Sequence, residues 1–258
     1  MYNEEKTGVL MVSRAMAILN YLSGKDKAVG ISEIAKDMGL PKATVFRILN
    51  SLEEWDAVEC GDGSGYRLGC FLIKLGKSAG KDAHLIDVCK PHMEQIAKEV
   101  GENLNLAIEY ENAMLSIYST NIASLVLSPK SIPISPLYCS SIGKAALAYL
   151  GEERFKAYFK RQDLRKRTPN TLTTQVELEA ECEKIRKTGV AFDDQEYEEG
   201  LYCISVPILN AEGGLVACMG ASGGYSRMVA KKDKIIELLK KAKDYIEVYT
   251  ESMDGFAL

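Results

Sequence analysis

Two short amphipathic segments separated only by Leu40 and Pro41 constrain this chain more than any other feature. The first, SEIAKDMG, places Ile34, Ala35 and Met38 on one face. Ser32 is its predicted N-cap, and Gly39 supplies the left-handed turn that ends a helix. The second, PKATVFRILNSLEEW, opens on Pro41, whose missing N–H costs nothing in the first turn. Val45, Ile48, Leu49 and Leu52 form its apolar stripe. Two helices joined so tightly must cross, and that is a helix-turn-helix. Upstream, Met11, Ala15, Ile18, Leu19 and Leu22 recur at helical spacing and predict a further helix, closed by Ser23-Gly24. Downstream, Ala57 to Cys60 and Tyr66 to Leu68 flank GDGSG, a turn rich in residues that accept positive φ. Helices followed by a small hairpin, within residues 1–69, outline a winged helix-turn-helix.

Opposite the apolar stripe of its last helix lie Lys42, Ala43, Phe46, Arg47 and Asn50, with Thr44 in the first turn. Arg and Lys suit guanine edges and phosphates, and Asn suits adenine. Phe46 on this polar face suits a thymine methyl or a sugar, and Thr44 a phosphate. Arg67, on the return strand, is the candidate contact of the wing. Charge gives no shortcut to nucleic acid. The chain carries a net charge of −4, and residues 1–80 hold ten basic and ten acidic side chains. A broadly basic coat is excluded, while a local basic face is not. Glu53, Glu54, Asp56 and Glu59 cluster away from the reading face. The alternative is a helix-turn-helix used as a protein adaptor, its charges merely solvated.

From Cys70 to Val100 the pattern stays helical, with a predicted break near Lys81-Asp82 and Pro91 inside the second part. Residues 70–81 read as a connecting helix. Residues 82–258 read as an α+β domain with one sheet. Its predicted strands are Leu104 to Ile108, Met114 to Tyr118, Leu125 to Leu127, Cys203 to Leu209 and Leu215 to Ala221. Its predicted helices are Ser140 to Leu150, Glu152 to Lys160, Gln175 to Lys187 and Lys231 to Tyr249. The strands from Cys203 and Leu215 are nearly free of charge, which places them centrally in the sheet.

No catalytic signature stands out. The chain's two histidines, His84 and His92, are eight residues apart on one helix, too far to share a metal. No nucleophile elbow, phosphate loop or dinucleotide fingerprint occurs. The seven cysteines are scattered with no C-x-x-C pair, so neither a disulfide framework nor a zinc site is expected. No cofactor, no metal and no catalytic residue is assigned. The N-terminus is not a signal peptide and no segment is apolar enough to span a bilayer, so a cytoplasmic protein is expected. Three segments instead suggest binding. Ser140 and Ser141 open a helix, as anion ligands or as ordinary caps. Asp193, Asp194, Glu196, Glu198 and Glu199 form an acidic cluster, read mostly as a solvated loop. MGASGG allows a close backbone approach, or simply turns.

Almost the whole chain resembles the IclR family of bacterial transcriptional regulators. SRAMAILNYL, ISEIAKDMGLPKATVFRILNSLEEWDAVE and YRLG are similar to the winged domain of the family, with Ala43 where a Ser is usual. The family signature is matched by Gly189, Asp193, Glu196, Cys203, Ile204, Ser205, Ile208 and Asn210, with Leu209 departing from the usual aromatic or His. TPNTLTT and SSIGKAALA match as well. The resemblance implies a GAF-like effector domain. It places an acidic ligand contact at Asp193, a pocket cysteine at Cys203 and backbone contacts at Ser141 and Ile142. Late-strand contacts fall on Gly220 and Ser222, and a further lining position on Ser135. It also implies a homodimer or dimer of dimers on double-stranded operator DNA, most often as a repressor, sensing a small carboxylate. The rival from another class is a GAF-like enzyme working through Cys139, Cys203 and Cys218, such as a methionine sulfoxide reductase.

Overall fold

A computed structural model describes residues 10–25, 27–61, 65–78, 81–122, 134–161 and 164–251. Contacts divide the chain into two compact units meeting at Gly80 and Lys81.

The first unit holds α1 (Leu10–Ser23), β1 (Val29–Gly30), α2 (Ile31–Met38), α3 (Lys42–Glu53), β2 (Val58–Cys60), β3 (Gly65–Leu68) and α4 (Phe71–Ser78). The predicted stripes meet in one core of Ile18, Leu22, Ile34, Ala35, Val45, Ile48 and Leu49. Met11 lies outside it and is exposed. Gly39 ends α2 at φ 65°, as its sequence position requires. Ser32 does not cap α2: the cap position is Gly30, without a side-chain bond, because the short strand β1 delivers the chain two residues earlier. Likewise Pro41 is the cap of α3 rather than its first residue. β1 was not foreseen, since two residues carry no period. It completes a three-stranded sheet in the order β1-β3-β2.

The second unit is a six-stranded antiparallel sheet with helices on both faces. Its elements are α5 (Lys81–Val100), β4 (Asn103–Tyr110), β5 (Ala113–Ser119), β6 (Ile134–Pro136), α6 (Ser141–Leu147), α7 (Glu152–Arg161), α8 (Gln175–Thr188), β7 (Ala191–Asp194), β8 (Leu201–Leu209), β9 (Leu215–Gly224), α9 (Tyr225–Ala230) and α10 (Lys232–Glu251). Strand order is β6-β5-β4-β9-β8-β7, so β8 and β9 lie inside the sheet. The short strands β6 and β7 and the helix α9 were not foreseen. The predicted strand Leu125 to Leu127 lies outside the described residues.

Alternation along the central strands separates two cores. Ile204, Val206, Ile208, Met219 and Ala221 pack with α5 and α10. On the other face, Ala145, Ala146 and Leu147 of α6 pack with Leu178, Cys182 and Ile185 of α8. Pro91 sits within α5, where it lacks the N–H that would meet the Asp87 carbonyl. Glu102, fully buried, is held by Arg227 at 2.8 Å and 3.0 Å, which ties the start of β4 to α9. A side chain at Gly223 would strike that carboxylate, its Cβ lying 2.4 Å from Oε2.

Candidate functional site

The first candidate surface is the outer face of α3. Lys42, Ala43, Phe46 and Arg47 are exposed there, and Thr44 and Asn50 are half-buried. Pro41 accepts from the N–H groups of Thr44 and Val45 through its carbonyl. No side chain caps the start of α3, which leaves the Lys42 and Ala43 amides available to an anion such as phosphate. The aromatic ring of Phe46 is nearly half exposed and stands outside the core of its unit. Arg67 is exposed, but Glu59 lies directly opposite on β2 and pairs with it at 2.6 Å.

The second candidate is a cavity of about 400 Å³ in the sheet unit. All seven residues singled out there by the sequence, Ser135, Ser141, Ile142, Asp193, Cys203, Gly220 and Ser222, line it. Sheet register explains how. Asp193, Cys203, Ser222 and Asn103 are successive cross-strand neighbours from β7 to β4. Ser205, Gly220, Asn105 and Ser119 form the adjacent row from β8 to β5. At Gly220 a Cβ would lie 2.7 Å from that of Ser205, so only glycine fits. Ser116 and Ser119 are three residues apart, and regular alternation would turn them to opposite faces. A bulge in the β4–β5 pairing at Leu106 and Ala107 brings both to the cavity.

Ser140 caps α6: its hydroxyl accepts from the Gly143 N–H at 3.1 Å and donates to the Pro136 carbonyl at 2.6 Å. It acts as an ordinary cap, while Ser141 beside it turns a hydroxyl without a protein partner toward the cavity. Asp193 accepts through Oδ1 from the N–H groups of Glu196 and Tyr197, at 2.7 Å and 3.2 Å. Burial pushes its carboxyl up to about 6, against the pull of those two N–H groups and of Lys144.

Behind the cavity lies a cluster that sequence reasoning missed. Lys144, 1% exposed, pairs with Glu196 and lies 3.6 Å from Glu181. Burial pushes Glu196 up to about 7, opposed by Lys144, and its Oε2 is buried without a partner. The acidic cluster of the sequence therefore splits. Asp193 and Glu196 are buried, whereas Asp194, Glu198 and Glu199 are not. Thr168 and Thr171 secure this loop by donating to the Gln195 and Glu196 carbonyls at 2.6 Å and 2.7 Å. Asn103, Asn105, Ser119 and Tyr197 were also missed. For the asparagines the signal was present, since they are the polar half of the Leu104, Leu106 alternation.

The cysteines do not resemble nucleophiles. Burial drives Cys203 well above its ordinary value, Cys139 up to about 12, and Cys218 up as well. A reactive thiolate needs the opposite environment. Among the described residues no three His, Cys, Asp or Glu side chains are placed to hold a metal ion, and no helix is long and apolar enough to cross a membrane.

Together these features define a DNA-binding regulator with a separate small-molecule sensing domain. The family description "Bacterial transcriptional regulator IclR C-terminal" matches residues 78–248, and "IclR helix-turn-helix domain" matches residues 11–60. The chain belongs to the IclR family. It is 27% identical over 249 residues to the Transcriptional repressor IclR of Escherichia coli K12, covering 93% of this chain and 90% of that protein. The structure of the Thermotoga maritima IclR superposes with a TM-score of 0.73 at 28% identity, over 93% of this chain and 98% of that one. An IclR homolog from Microbacterium hydrocarbonoxydans, complexed with 4-hydroxybenzoate, shares the fold with a TM-score of 0.85 at 24% identity, over 94% and 100% of the two chains.

Proposed function

We propose that this regulator is a repressor whose operator affinity is set by a small carboxylate held in the sheet-unit cavity. The observation that carries the reading is the convergence of seven sequence-selected residues on one cavity. Lys42, Ala43, Thr44, Phe46, Arg47 and Asn50 of α3 read the major groove, and Arg67 follows the backbone once released from Glu59. The relative named a repressor supports the sign of regulation. Within the cavity, Asp193 accepts from a ligand hydroxyl. Ser141 and the uncapped N–H groups of Ser141 and Ile142 receive the ligand's acid group. The neighbour bound to 4-hydroxybenzoate supports an acid in general rather than that compound.

The active form is a dimer or a dimer of dimers on a palindromic operator. The exposed apolar side chains Leu10, Val12, Met16 and Ile73 support association through the first unit. Ligand acts by favouring one arrangement of the α4 region over another, which requires different affinities for the two. Coupling of about 1–3 kcal/mol would change operator affinity roughly 5–150-fold.

The test has two arms. Selection from random duplexes should enrich a palindrome with the wild type and markedly less of it with Arg47→Ala. A thermal-shift screen of small acids should give a stabilising compound whose effect Asp193→Ala removes. Enrichment by Arg47→Ala equal to that of the wild type would overturn the reading face. Stabilisation untouched by Asp193→Ala would overturn the pocket.

A further inference from the structure

The cavity wall holds more hydrogen-bonding groups than a single acid group can use. On β4, Asn105 accepts from the Ser119 hydroxyl through Oδ1 at 2.5 Å. That bond fixes the amide and leaves its NH2 group, with two donors, facing the cavity without a protein partner. Across the sheet Ser222 presents a hydroxyl with no protein partner, and so does Ser135 from β6, though 93% buried. Asp193 spends Oδ1 on two backbone N–H groups and keeps Oδ2 as an acceptor. Among the described residues the apolar lining is confined to Ile142, Leu201, Ala221 and the Tyr197 ring, apart from Cys203 and Gly220.

No Lys, Arg or His lines the cavity among the described residues, and Asp193 is its one carboxylate. The nearest buried cation, Lys144, is already committed to Glu196 and Glu181. A ligand with two acid groups would therefore place one of them against uncompensated negative charge. A flat aromatic acid would bury its ring against Asn105, Ser222 and Ser135 and leave their polar atoms unpaired. Sites built to hydrogen-bond a ligand hydroxyl discriminate strongly against analogues lacking it, because the unpaired partners stay buried.

We propose that the β4, β5 and β9 wall, with Asn105 at its centre, selects a monoacid carrying several hydroxyl groups and rejects aromatic acids. This rests on the reading of the cavity as the effector site. In it, Asn105 donates to ligand hydroxyls, Asp193 accepts from one, and Ser222 and Ser135 do either. Asn105 is thus a specificity-determining residue, and Ser119 positions it.

The test is calorimetric titration of the full-length protein with a panel of four- to six-carbon aldonic, keto-aldonic and uronic acids. Benzoate, 4-hydroxybenzoate and phenylacetate form the comparison set. At least one polyhydroxy acid should bind at least about 100-fold more tightly than every aromatic acid, within the range of hydroxyl-based discrimination. Asn105→Leu and Ser222→Ala should each weaken that ligand about tenfold or more, with melting by circular dichroism as the control for folding. If Asn105→Leu melts early, Ser222→Ala alone carries the comparison. Tight binding of an aromatic acid, unaffected by either variant, would overturn this selectivity and leave the effector site standing. Binding by neither set, with operator binding intact, would overturn both this inference and the acid-effector reading.

Discussion

Both units carry exposed ion pairs, but among the described residues only the sheet unit also buries charge. In the winged unit the ion pairs are on the surface: Lys25 with Glu33, and Arg67 with Glu59, have half or more of at least one side chain exposed. In the sheet unit Lys144, Glu102, Asp193 and Glu196 are buried. Exposed pairs contribute about 0–1 kcal/mol and break readily for an incoming partner. Buried charges cost several kcal/mol each to desolvate and are retained only with partners in place. The described ion pairs of the winged unit are thus all within reach of solvent. The sheet unit also fixes charged groups around a space inside it.

The largest test of this contrast is Lys144→Met. It strands the buried Glu196, while Glu181 keeps Lys184 at 3.4 Å, and should destabilise the sheet unit by about 3–5 kcal/mol. Trp55 is the chain's single tryptophan and lies in the winged unit. Its fluorescence transition should stay put while the circular dichroism transition moves to lower denaturant. A joint shift of both would erase the distinction between the units. Next comes Arg47→Ala, expected to weaken operator binding by about 1–3 kcal/mol, or roughly 5–150-fold, with both melting transitions unchanged. Unaltered anisotropy titrations would remove α3 as the reader.

A third effect follows from pH. Asp193 at about 6 and Glu196 at about 7 bind protons more tightly in the fold than in the open chain, because burial disfavours their charge. Unfolded carboxyls release theirs near about pH 4. The stabilisation is therefore full below that pH and is lost as pH rises through 6 and 7. The sheet unit should melt at lower temperature at pH 8 than at pH 5, and Glu196→Gln should flatten the trend. Melting that rises with pH would contradict the buried-acid picture. The smallest effect is at the wing. Glu59→Gln frees Arg67 and should strengthen DNA binding a few-fold at low salt, an increment that vanishes at high salt.

Much of the winged unit was legible because its rules are local. Gly39 and the stripe of Val45, Ile48 and Leu49 specify helix ends and faces without reference to distant residues. The exposure of Phe46 and Arg47 follows from the same period. The cavity was legible only in part. Its seven residues came from resemblance to a family, and the frame that assembles them is strand register, which no window of sequence reveals. Lys144 shows the limit most clearly. A lysine in the first turns of a helix reads as a surface charge, and only the fold of α8 and of the loop after β7 around it makes it interior. Ser32 failed for a related reason: a two-residue strand displaced the cap it was expected to form.

The β8–β9 hairpin turns through Asn210 to Gly214, with the Asn210 side chain accepting from the Gly214 N–H at 2.7 Å and Gly213 at φ 78°. That short turn, together with the bulge beside it at Ile208 and Leu209 and the pairing with β4, sets which residues of β9 face the cavity. A one-residue slip of β9 against its neighbours would turn the side chains of Met219 and Ala221 toward the cavity in place of Gly220 and Ser222, and would drive polar groups into the opposite core. The cavity wall can therefore change by substitution but not by a slip of strand register. A new lining can arise one side chain at a time only while the pairing of β8, β9 and β4 is kept.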